Sequence, residues 1–479
     1  MAEHMLQFVT LDQQGPDKRA VPARIRDFAE IHTSFAPAAA AAQASRCSQC
    51  GVPFCSVHCP LGNNIPDWLK LTAEGRLREA YELSAATNTF PEICGRICPQ
   101  DRLCEGNCVI ERDFDAVTIG AVERFLTDTA FAEGWVRPIR PARDLGRSVG
   151  IIGAGPAGLA AAERLRRQGY GVDVYDRYDR VGGLLIYGIP GFKLEKSIVQ
   201  RRHAHLAEAG ITFHREADIG ASLGFAEIRA RHDAVLIATG VYRARALAAP
   251  GHDLAGIVPA LDYLTAANRV GLGDPVPRFT NGTLNAAGRH VVVVGGGDTA
   301  MDCVRTAIRQ GAASVTCLYR RDRANMPGSL REVTHAEEEG VTFLWLAAPE
   351  AFLGTNQVSA VRARRMRLGL PDGSGRRGVE PIPGSEFTLQ ADLVIKALGF
   401  DPEDMPALFD EPGLRTNRWG TIAADPRNFT TSLPGVFAAG DIVRGASLVV
   451  WAIRDGRDAA AAMHRHLTAV RPFPAIAAE

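Results

Sequence analysis

The feature that most constrains the fold of this chain is a strand–turn–helix pattern that occurs twice. The apolar strand 148–152 runs into the glycine turn 153–158, and strand 290–294 runs into the glycine turn 295–300. A helix follows each turn. Such a turn lets the backbone approach a pyrophosphate, which the amides and dipole of the helix N-terminus attract. The repeated pattern therefore predicts two dinucleotide-binding units in one chain.

The order of the remaining elements predicts how the two units are combined. A strand at 391–397 follows the second glycine turn, and a further strand ends at Gly440 and Asp441, before a last helix. This order indicates that the second unit is inserted in the first, whose sheet the C-terminal segment completes. With 479 residues, the chain is long enough for two or three domains. The expected fold is therefore α/β, with two Rossmann-like domains, one inserted in the other, behind a mainly helical N-terminal domain.

The first glycine turn has the full context of a dinucleotide site. Gly153 permits the tight turn, Gly155 lets the backbone approach the phosphates, and Gly158 lets helix and strand pack closely. Asp176 ends the next strand, where it is placed to accept hydrogen bonds from ribose hydroxyls. The contacts expected from the turn itself are Gly153, Gly155, Pro156, Ala157 and Gly158.

The second glycine turn is followed by basic residues instead of an acid. Arg320 and Arg321 occupy the position where an NAD-binding protein would keep a carboxylate, and a guanidinium suits the 2′-phosphate of NADP. NADPH is therefore expected in preference to NADH. The alternative is that both arginines form only a solvated strand end. The contacts expected from the turn itself are Gly295, Gly297, Asp298, Thr299 and Ala300.

Eight of the ten cysteines lie between residues 47 and 108, which is typical of metal ligation and not of a secreted disulfide scaffold. Their spacing resembles the bacterial ferredoxin pattern with a longer middle gap, in which the fourth cysteine crosses to the other cluster. This predicts two 4Fe-4S clusters, with two zinc sites as the alternative. The first cluster is assigned to Cys47, Cys50, Cys55 and Cys108, and the second to Cys59, Cys94, Cys98 and Cys104.

Charge and composition argue against several other classes of protein. The chain has no net formal charge and a pI near 7.2, which does not favour nucleic acid or an anionic membrane surface as a partner. Residues 1–10 lack the pattern of a signal peptide, and no apolar span is long enough to cross a bilayer, so a cytoplasmic protein is expected. Cys303 and Cys317 stand alone in apolar segments and are expected to be buried structural thiols.

Taken together, these motifs resemble the small (beta) subunits of bacterial NADPH-dependent glutamate synthases. The resemblance runs from residues 24–28 through both cysteine runs to residues 455–456, and residues 182–190 look like a flavin-side segment of that family. It implies that the first unit holds FAD and the second NADPH. The further FAD contacts that it implies are Asp176, Arg177, Gly183, Leu184, Gly240, Gly440 and Asp441. The further NADPH contacts are Arg320, Arg321 and Gly399.

The resemblance also implies a function. In that family, electrons pass from NADPH through FAD and the clusters to the FMN of a large (alpha) subunit, which makes glutamate from glutamine and 2-oxoglutarate. This chain has no cysteine before Cys47 to hydrolyse glutamine, and no length is left for an FMN barrel. It is therefore expected to be an oxidoreductase and an electron-input subunit, with hydride transfer carried by the cofactors and no catalytic side chain.

Two alternatives to this function stay open. The same machinery fits another acceptor, such as a pyrimidine-reducing subunit or ferredoxin. A protein of another class, a non-enzymatic NADP-binding regulator with structural zinc, also fits the cysteines and the second turn.

The sequence also predicts where domains and helices begin and end. Helices are expected at 65–85 and 117–131, and the alanine run at 38–42 is either a short helix or a linker. The proline-containing, charged segment 137–147 is expected to link two domains. The predicted domains are 1–145 for the clusters, 146–275 with 425–479 for FAD, and 276–424 for NADPH.

Overall fold

The N-terminal region is helical. The structure, a computed structural model, describes residues 5–371, 373 and 377–470, so the predicted domain ends at 1–4 and 471–479 lie outside the described residues. Short 3-10 helices lie at Gln7–Val9 and Gln100–Arg102. The α-helices of this region are α1 (Val21–Arg24), α2 (Pro37–Ser45), α3 (Phe54–His58), α4 (Ile65–Ala73), α5 (Leu77–Thr87), α6 (Pro91–Ile97), α7 (Glu111–Phe114) and α8 (Ile119–Ala132).

One of the helices predicted here differs from the prediction in an informative way. The alanine run lies in α2, which begins at Pro37, a residue that suits the first turn of a helix. The single helix predicted over 65–85 is wrong, because Gly75 adopts a φ of +74° and separates α4 from α5. This left-handed conformation ends helices and costs glycine little. The helix predicted over 117–131 is confirmed as α8.

The rest of the chain alternates strands and helices. The strands are β1 (Ser148–Ile152), β2 (Gly171–Tyr175), β3 (Ile211–His214), β4 (Ala234–Ile237), β5 (Arg243–Ala244), β6 (Ile257–Pro259), β7 (His290–Val294), β8 (Ser314–Tyr319), β9 (Thr342–Trp345), β10 (Ala347–Gly354), β11 (Val358–Pro371), β12 (Arg377–Gln390), β13 (Leu393–Lys396), β14 (Phe400–Asp401) and β15 (Val436–Ala438). The helices are α9 (Pro156–Arg167), α10 (Leu184–Tyr187), α11 (Lys196–Glu208), α12 (Phe225–Arg231), α13 (Ala260–Gly271), α14 (Pro277–Thr280), α15 (Asp298–Arg309), α16 (Leu330–Glu338), α17 (Met405–Leu408), α18 (Asp441–Arg444) and α19 (Val449–Val470). None of the helices within the described ranges has the length and apolar character needed to cross a membrane.

The strands form two parallel sheets, one for each dinucleotide-binding unit. The first has the order β15-β4-β1-β2-β3, and the second has the order β6-β13-β7-β8-β9. Because β15 pairs with β4, the C-terminal segment completes the first sheet after the whole second unit has been inserted. Strands β10, β11 and β12 form a separate antiparallel sheet within the inserted unit. The predicted α/β fold with one unit inserted in the other is confirmed.

The sheet pairing places the limits of the inserted unit differently from the predicted 276 and 424. Strand β6 pairs with β13, so the chain from Ile257 onward belongs to the second sheet. In the other direction, Met405 packs with Phe225 in the core of the first unit, well before residue 425. Neither segment has a glycine turn that marks it in the sequence. Their assignment depends on which sheet they pack against.

The two connections between the units touch each other. Strands β5 and β14 form an antiparallel pair in which Arg243 lies opposite Asp401 and Ala244 opposite Phe400. Arg245 adds an ion pair, with its Nε 2.9 Å from Oδ1 of Asp401. Both partners of this ion pair are exposed, so it contributes little by itself, and the backbone pairing is what joins the two connections.

The core of the first unit depends on a close approach between helices α9 and α19. Gly456 in α19 packs on Ala157 in the first turn of α9, and a Cβ at position 456 would lie 2.0 Å from the carbonyl oxygen of Ala157. No larger residue fits this position without displacing one of the helices. The C-terminal helix thus packs on the end of α9 that follows the first glycine turn.

The Gly456→Ala variant should lower the stability of the first unit. The added methyl group collides with backbone, and overpacking of this kind costs about 1–3 kcal/mol. Thermal denaturation monitored by circular dichroism measures the loss, and retention of the yellow cofactor reports whether the glycine turn has moved. Gly271→Ala, at the end of α13, is the matched control, because a Cβ there meets nothing within 4 Å. Equal stability of the two variants would contradict the packing argument.

Candidate cofactor and cluster sites

The first glycine turn has the geometry of a pyrophosphate site. Gly153 has a φ of +110°, and a Cβ there would lie 2.3 Å from the carbonyl oxygen of Ala238. A Cβ at Gly158 would lie 1.9 Å from the carbonyl oxygen of Gly153. At Gly155, by contrast, a Cβ would meet nothing within 4 Å. The turn is therefore packed against protein on two sides and open where a phosphate has to approach.

Other predicted FAD residues lie around this turn. A Cβ at Gly183 would lie 3.0 Å from Cα of Gly155, and Leu184 begins helix α10 directly after it. A Cβ at Gly440 would lie 2.9 Å from Cβ of Ala157. Segments distant in the sequence, after β2 and after β15, thus meet at the first turn.

The ends of β4 and β15 supply two further predicted residues. Asp441 begins α18 and accepts a hydrogen bond from Oγ of Ser447 at 2.6 Å, and burial raises the pKa of this carboxyl group. Gly240 follows β4 with a φ of +74°, and Tyr242 lies beside it. Both turns lie at the carboxyl edge of the first sheet, where ligands of such sheets bind.

Asp176 is buried next to the first turn. Its Oδ2 accepts a hydrogen bond from the amide of Ala154 at 2.7 Å, and its Oδ1 accepts one from the amide of Tyr178 at 2.9 Å. Burial raises the pKa of Asp176, and the two amides oppose that rise by stabilising the carboxylate. The side chain therefore supports the glycine turn, and its contact with a ribose remains a prediction.

The cavity beside Asp176 is lined by the predicted Arg177 and by other residues that sequence reasoning missed. Arg177 forms an ion pair with Glu403 at 2.9 Å and lies 4.8 Å from the ring centre of Tyr242. Tyr178 and Met405 line the same cavity. Glu403 follows β14, 226 positions from Arg177, and no local pattern in the sequence connects them.

The second glycine turn repeats the geometry of the first. Gly295 has a φ of +147°, and a Cβ there would lie 2.2 Å from the carbonyl oxygen of Ala397. A Cβ at Gly297 would meet nothing within 4 Å. Ala300, in place of a third glycine, is buried in the first turn of α15. Gly399 follows β13 with a φ of +95°, at the same edge of the second sheet.

Asp298 connects the second glycine turn to the cysteine region, a link that the sequence did not reveal. Its Oδ1 accepts a hydrogen bond from the amide of Ser329 at 2.9 Å. The hydroxyl of Ser329 in turn donates to Oδ2 of Asp101 at 3.1 Å. Asp101 lies between Cys98 and Cys104 in the sequence. The predicted NADPH turn and a predicted cluster segment are thus two hydrogen bonds apart.

The two predicted phosphate-reading arginines have different environments. Arg320 is exposed just after β8. Arg321 is buried, and its Nε donates a hydrogen bond to the carbonyl oxygen of Arg377 in β12 at 3.0 Å. Arg321 thus holds the end of β8 against the antiparallel sheet, whereas Arg320 is available to a ligand.

The four cysteines of the second predicted cluster line one cavity. Cys59, Cys94, Cys98 and Cys104 share its wall with apolar and amide side chains. Burial raises the pKa of Cys59 to about 11, and a hydrogen bond with Cys94 together with burial raises the pKa of Cys98. Thiols of this kind stay protonated at neutral pH unless a metal displaces the proton. The cavity, the donor set and its seclusion fit an iron–sulfur cluster.

The cysteines of the first predicted cluster are also neighbours. Burial raises the pKa of Cys55 to about 12, and the nearby Cys47 and Cys108 raise it further. Burial also raises the pKa of Cys47, and the nearby Cys108 and Cys50 add to that rise. Among the described residues, no three Cys, His, Asp or Glu side chains are grouped as ligands of a single metal ion.

Glu123 is a site residue that sequence reasoning missed. It lies in the wall of the cavity lined by Cys59, Cys94, Cys98 and Cys104, and Nδ2 of Asn88 donates a hydrogen bond to its Oε1 at 3.0 Å. Burial raises the pKa of Glu123 to about 8. A signal was present in the sequence, because Glu123 interrupts the apolar face that Ile119, Val122 and Leu126 form on α8.

A third cavity lies where the three parts of the chain meet. Its wall includes Cys98 from the cysteine region, Ile189 from the predicted flavin-side segment and Asp298 from the second glycine turn. Ser447, just before α19, and Val450, in its first turn, also line it. One space is thus bounded by residues from both glycine-turn units and by a predicted cluster ligand.

Comparison with known proteins agrees with this arrangement. Residues 24–135 match the family described as dihydropyrimidine dehydrogenase domain II, 4Fe-4S cluster. Residues 147–456 match the pyridine nucleotide-disulphide oxidoreductase family. The glutamate synthase [NADPH] small chain of Azospirillum brasilense is 66% identical over 479 residues, which cover 100% of this chain and 99% of that one. The chain belongs to the glutamate synthase small-chain family. It is an oxidoreductase.

The chain is also similar to a longer protein and to a solved structure. The putative oxidoreductase AegA of Escherichia coli is 47% identical over 93% of this chain, which spans 68% of AegA. Among solved structures, Mycobacterium tuberculosis FprA in complex with NADPH is similar in fold, with a TM-score of 0.58 and 22% identity over 69% of this chain and 86% of FprA. FprA and this chain thus share a fold over the matched part, and the residues that match the 4Fe-4S family precede those that match the oxidoreductase family.

The predicted division of the cysteines can be tested with paired substitutions. Cys59→Ser with Cys98→Ser removes two ligands of one cluster, so iron should fall from about eight to about four atoms per chain. Cys55→Ser with Cys98→Ser removes one ligand from each cluster and should lower iron below that level. Iron assay and electron paramagnetic resonance of the reduced protein measure the difference. Cys317→Ser, at a buried thiol in β8, is the control and should keep all the iron. Equal iron in both double variants would contradict the division.

Proposed function

We propose that this chain is the NADPH-oxidising electron-input subunit of a glutamate synthase, which delivers electrons to the FMN of a large subunit that makes glutamate from glutamine and 2-oxoglutarate. The observation that carries the proposal is the cavity bounded by Cys98, Ile189 and Asp298. It gives the two dinucleotide-binding units and a cluster one meeting place. Membership of the small-chain family supports the choice of acceptor.

The chain carries FAD, NADPH and 4Fe-4S clusters. The first glycine turn fits FAD pyrophosphate because it is open at Gly155, and Gly183, Gly440 and Asp441 surround it. The second turn fits NADPH because it is open at Gly297 and has the exposed Arg320 beyond the next strand. When bound, these groups would supply the redox chemistry, namely hydride donation and the change from two-electron to one-electron transfer.

The protein's own residues hold the reacting groups in position and keep water out. The wall of the cavity at the meeting place includes the apolar side chains of Ile189, Leu448 and Val450 beside charged ones such as Lys193 and Asp302. Exclusion of water from such a site strengthens electrostatic interactions and suppresses side reactions. No side chain is needed as an acid or base, so orientation is the main contribution of the polypeptide.

The surface next to the first cluster set is the proposed exit toward the large subunit. Several large apolar residues beside these cysteines are exposed, including Val52 at 63%, Phe54 at 49%, Val57 at 65% and Val109 at 54%. Apolar side chains are seldom grouped on the surface of a protein without a partner. A large subunit that covers them would bring its own redox group close to this cluster.

A different acceptor is the second candidate. AegA contains a module similar to this whole chain within a longer protein, so the module also occurs outside glutamate synthases. The identity of the acceptor therefore needs a direct test.

Arg320→Gln should weaken NADPH more than NADH. Loss of one charge-assisted contact with the 2′-phosphate is expected to raise the KM for NADPH about tenfold and to leave the KM for NADH nearly unchanged. Steady-state reduction of an artificial dye measures both constants. Arg418→Gln, at another exposed arginine, is the control. An equal change for both nucleotides would show that Arg320 does not read the phosphate.

The function itself is tested by anaerobic stopped-flow absorbance. The iron-replete protein mixed with NADPH should lose its flavin absorbance, and addition of the large subunit with glutamine and 2-oxoglutarate should restore it. Val57→Gln should slow this reoxidation and leave reduction unchanged, whereas Leu370→Gln, at a residue 89% exposed on the antiparallel sheet, should affect neither. Reoxidation only by ferredoxin or a pyrimidine-reducing subunit would identify another acceptor, and no bleaching by NADPH would overturn the electron-input role.

A further inference from the structure

The segment before the first cysteine forms a closed loop, although its sequence gave no indication of a role. The amide of Arg19 donates to the carbonyl oxygen of Ile31 at 2.9 Å, and the amide of Thr33 donates to that of Asp17 at 2.9 Å. Residues 17–33 therefore leave the helical region and return to it. We call this segment the N-terminal loop.

One side of the N-terminal loop is attached to the cysteine region and the first unit. Glu30 is buried, and its carboxylate lies 2.8 Å from Nε of Arg96 in α6 and 2.8 Å from Nη2 of Arg124 in α8. The same carboxylate accepts a hydrogen bond from the amide of Glu195, next to α11, at 3.2 Å. This end of the loop is thus fixed to two of the three parts of the molecule.

The tip of the loop reaches the third part, the second dinucleotide-binding unit. Arg24 is completely buried, forms an ion pair with Glu338 and has its Nε 3.1 Å from Oε1 of Glu339. Glu339 also accepts paired hydrogen bonds from Arg305 and Arg309, at 2.7–3.0 Å. Burial opposes the ionisation of Glu339, but the bonds from Arg309 and Arg305 outweigh it and hold its pKa at about 2.

An aromatic contact links the arginines around Glu339 to the first unit. Phe192 is buried two residues after the predicted flavin-side segment, and the guanidinium groups of Arg305 and Arg309 lie 4.5 Å and 4.0 Å from its ring centre. Phe28 of the N-terminal loop lies 6.2 Å from the same ring. A Cβ at Gly191 would come within 2.8 Å of the carbonyl oxygen of Phe28. The loop, the first unit and the second unit therefore meet at one point.

We propose that the N-terminal loop is a brace that fixes the orientation of the second dinucleotide-binding unit relative to the first, and that Arg24 is its positioning residue. The two units also contact each other directly, through the pairing of β5 with β14 and through the ion pairs of Lys193 with Asp302, 3.0 Å apart, and of Arg269 with Asp179, 2.7 Å apart. The loop adds a connection that runs through the cysteine region. Hydride transfer requires the two nucleotides to meet within a fraction of an ångström of the productive geometry. The kinetic consequence of the brace, although not its structural role, rests on the proposed function.

Arg24→Gln is the test of the brace. In single-turnover stopped flow, the limiting rate of flavin reduction by NADPH should fall about tenfold, because a misplacement of about 1 Å is enough for such a loss. The dissociation constant of NADPH should change less than about twofold, since no residue of the second glycine turn is altered. FAD and iron content should stay as in the wild type. Arg24→Lys keeps a positive charge beside Glu338 and Glu339 and should recover part of the rate.

Hydrogen exchange supplies a readout that does not depend on NADPH chemistry. Amides of the N-terminal loop and of α16 should exchange about tenfold faster in Arg24→Gln than in the wild type, while those of β7 and β8 stay protected. Arg26→Gln, at an exposed arginine in the same loop, is the matched control and should behave as the wild type in both measurements. Unchanged exchange and an unchanged limiting rate in Arg24→Gln would overturn the brace.

The remaining outcomes are also decisive. If Arg24→Gln loses FAD or iron, Glu338→Gln replaces it, because that variant removes one partner of Arg24 and leaves Glu339 with Arg305 and Arg309. It should change exchange and rate in the same direction by a smaller factor, and wild-type behaviour would overturn the proposal. If NADPH fails to bleach even the wild type, the proposed function fails. The exchange result still decides the brace.

Discussion

The structure depends on the close backbone approach at the first glycine turn. Gly153, Gly158 and Gly456 each occupy a position where a Cβ would lie within 2.3 Å of a carbonyl oxygen. Because Gly456 belongs to the last helix, the C-terminal segment must return to this turn after the second unit has been completed. The same return brings β15 beside β4 and Gly440 beside Ala157. Packing at this turn and the pairing of β15 with β4 together determine where the C-terminal segment returns after the inserted unit.

Charged side chains hold the three parts of the molecule together. Glu30 accepts a hydrogen bond from the amide of Glu195 in the first unit, Glu339 of the second unit pairs with Arg24 of the N-terminal loop, and Asp101 of the cysteine region accepts a hydrogen bond from Ser329 of the second unit. Burying such charges is costly unless every partner is present, so the network tolerates few relative arrangements of the domains. Apolar contacts alone would be less specific in this respect. Cofactors of such an enzyme react only at short distances. Domains that cannot slide past one another keep these cofactors in position.

Features that depend on neighbouring residues were predicted from the sequence, whereas several that depend on distant residues were not. The strands next to both glycine turns were predicted at their observed bounds, because a short apolar run followed by a glycine turn is a local signal. The break at Gly75 was missed because the apolar spacing continues through it. Arg321 was assigned to a ligand from its position, but the structure buries it against β12, a strand more than fifty residues away. The limits of the inserted unit were misplaced for the same reason, since pairing of β6 with β13 joins distant segments.

The sequence by itself determined the two glycine turns, the set of eight clustered cysteines and the order of the domains, because each depends on residue types at short, regular spacing. Only the tertiary structure decided which residues surround the turns and the cysteines. Glu123 faces the cysteine cavity, Glu403 pairs with Arg177, and Arg24 of the N-terminal loop reaches Glu339 of the second unit. Their roles depend on burial and on partners that no local pattern brings together, and such partners meet only once the chain has folded.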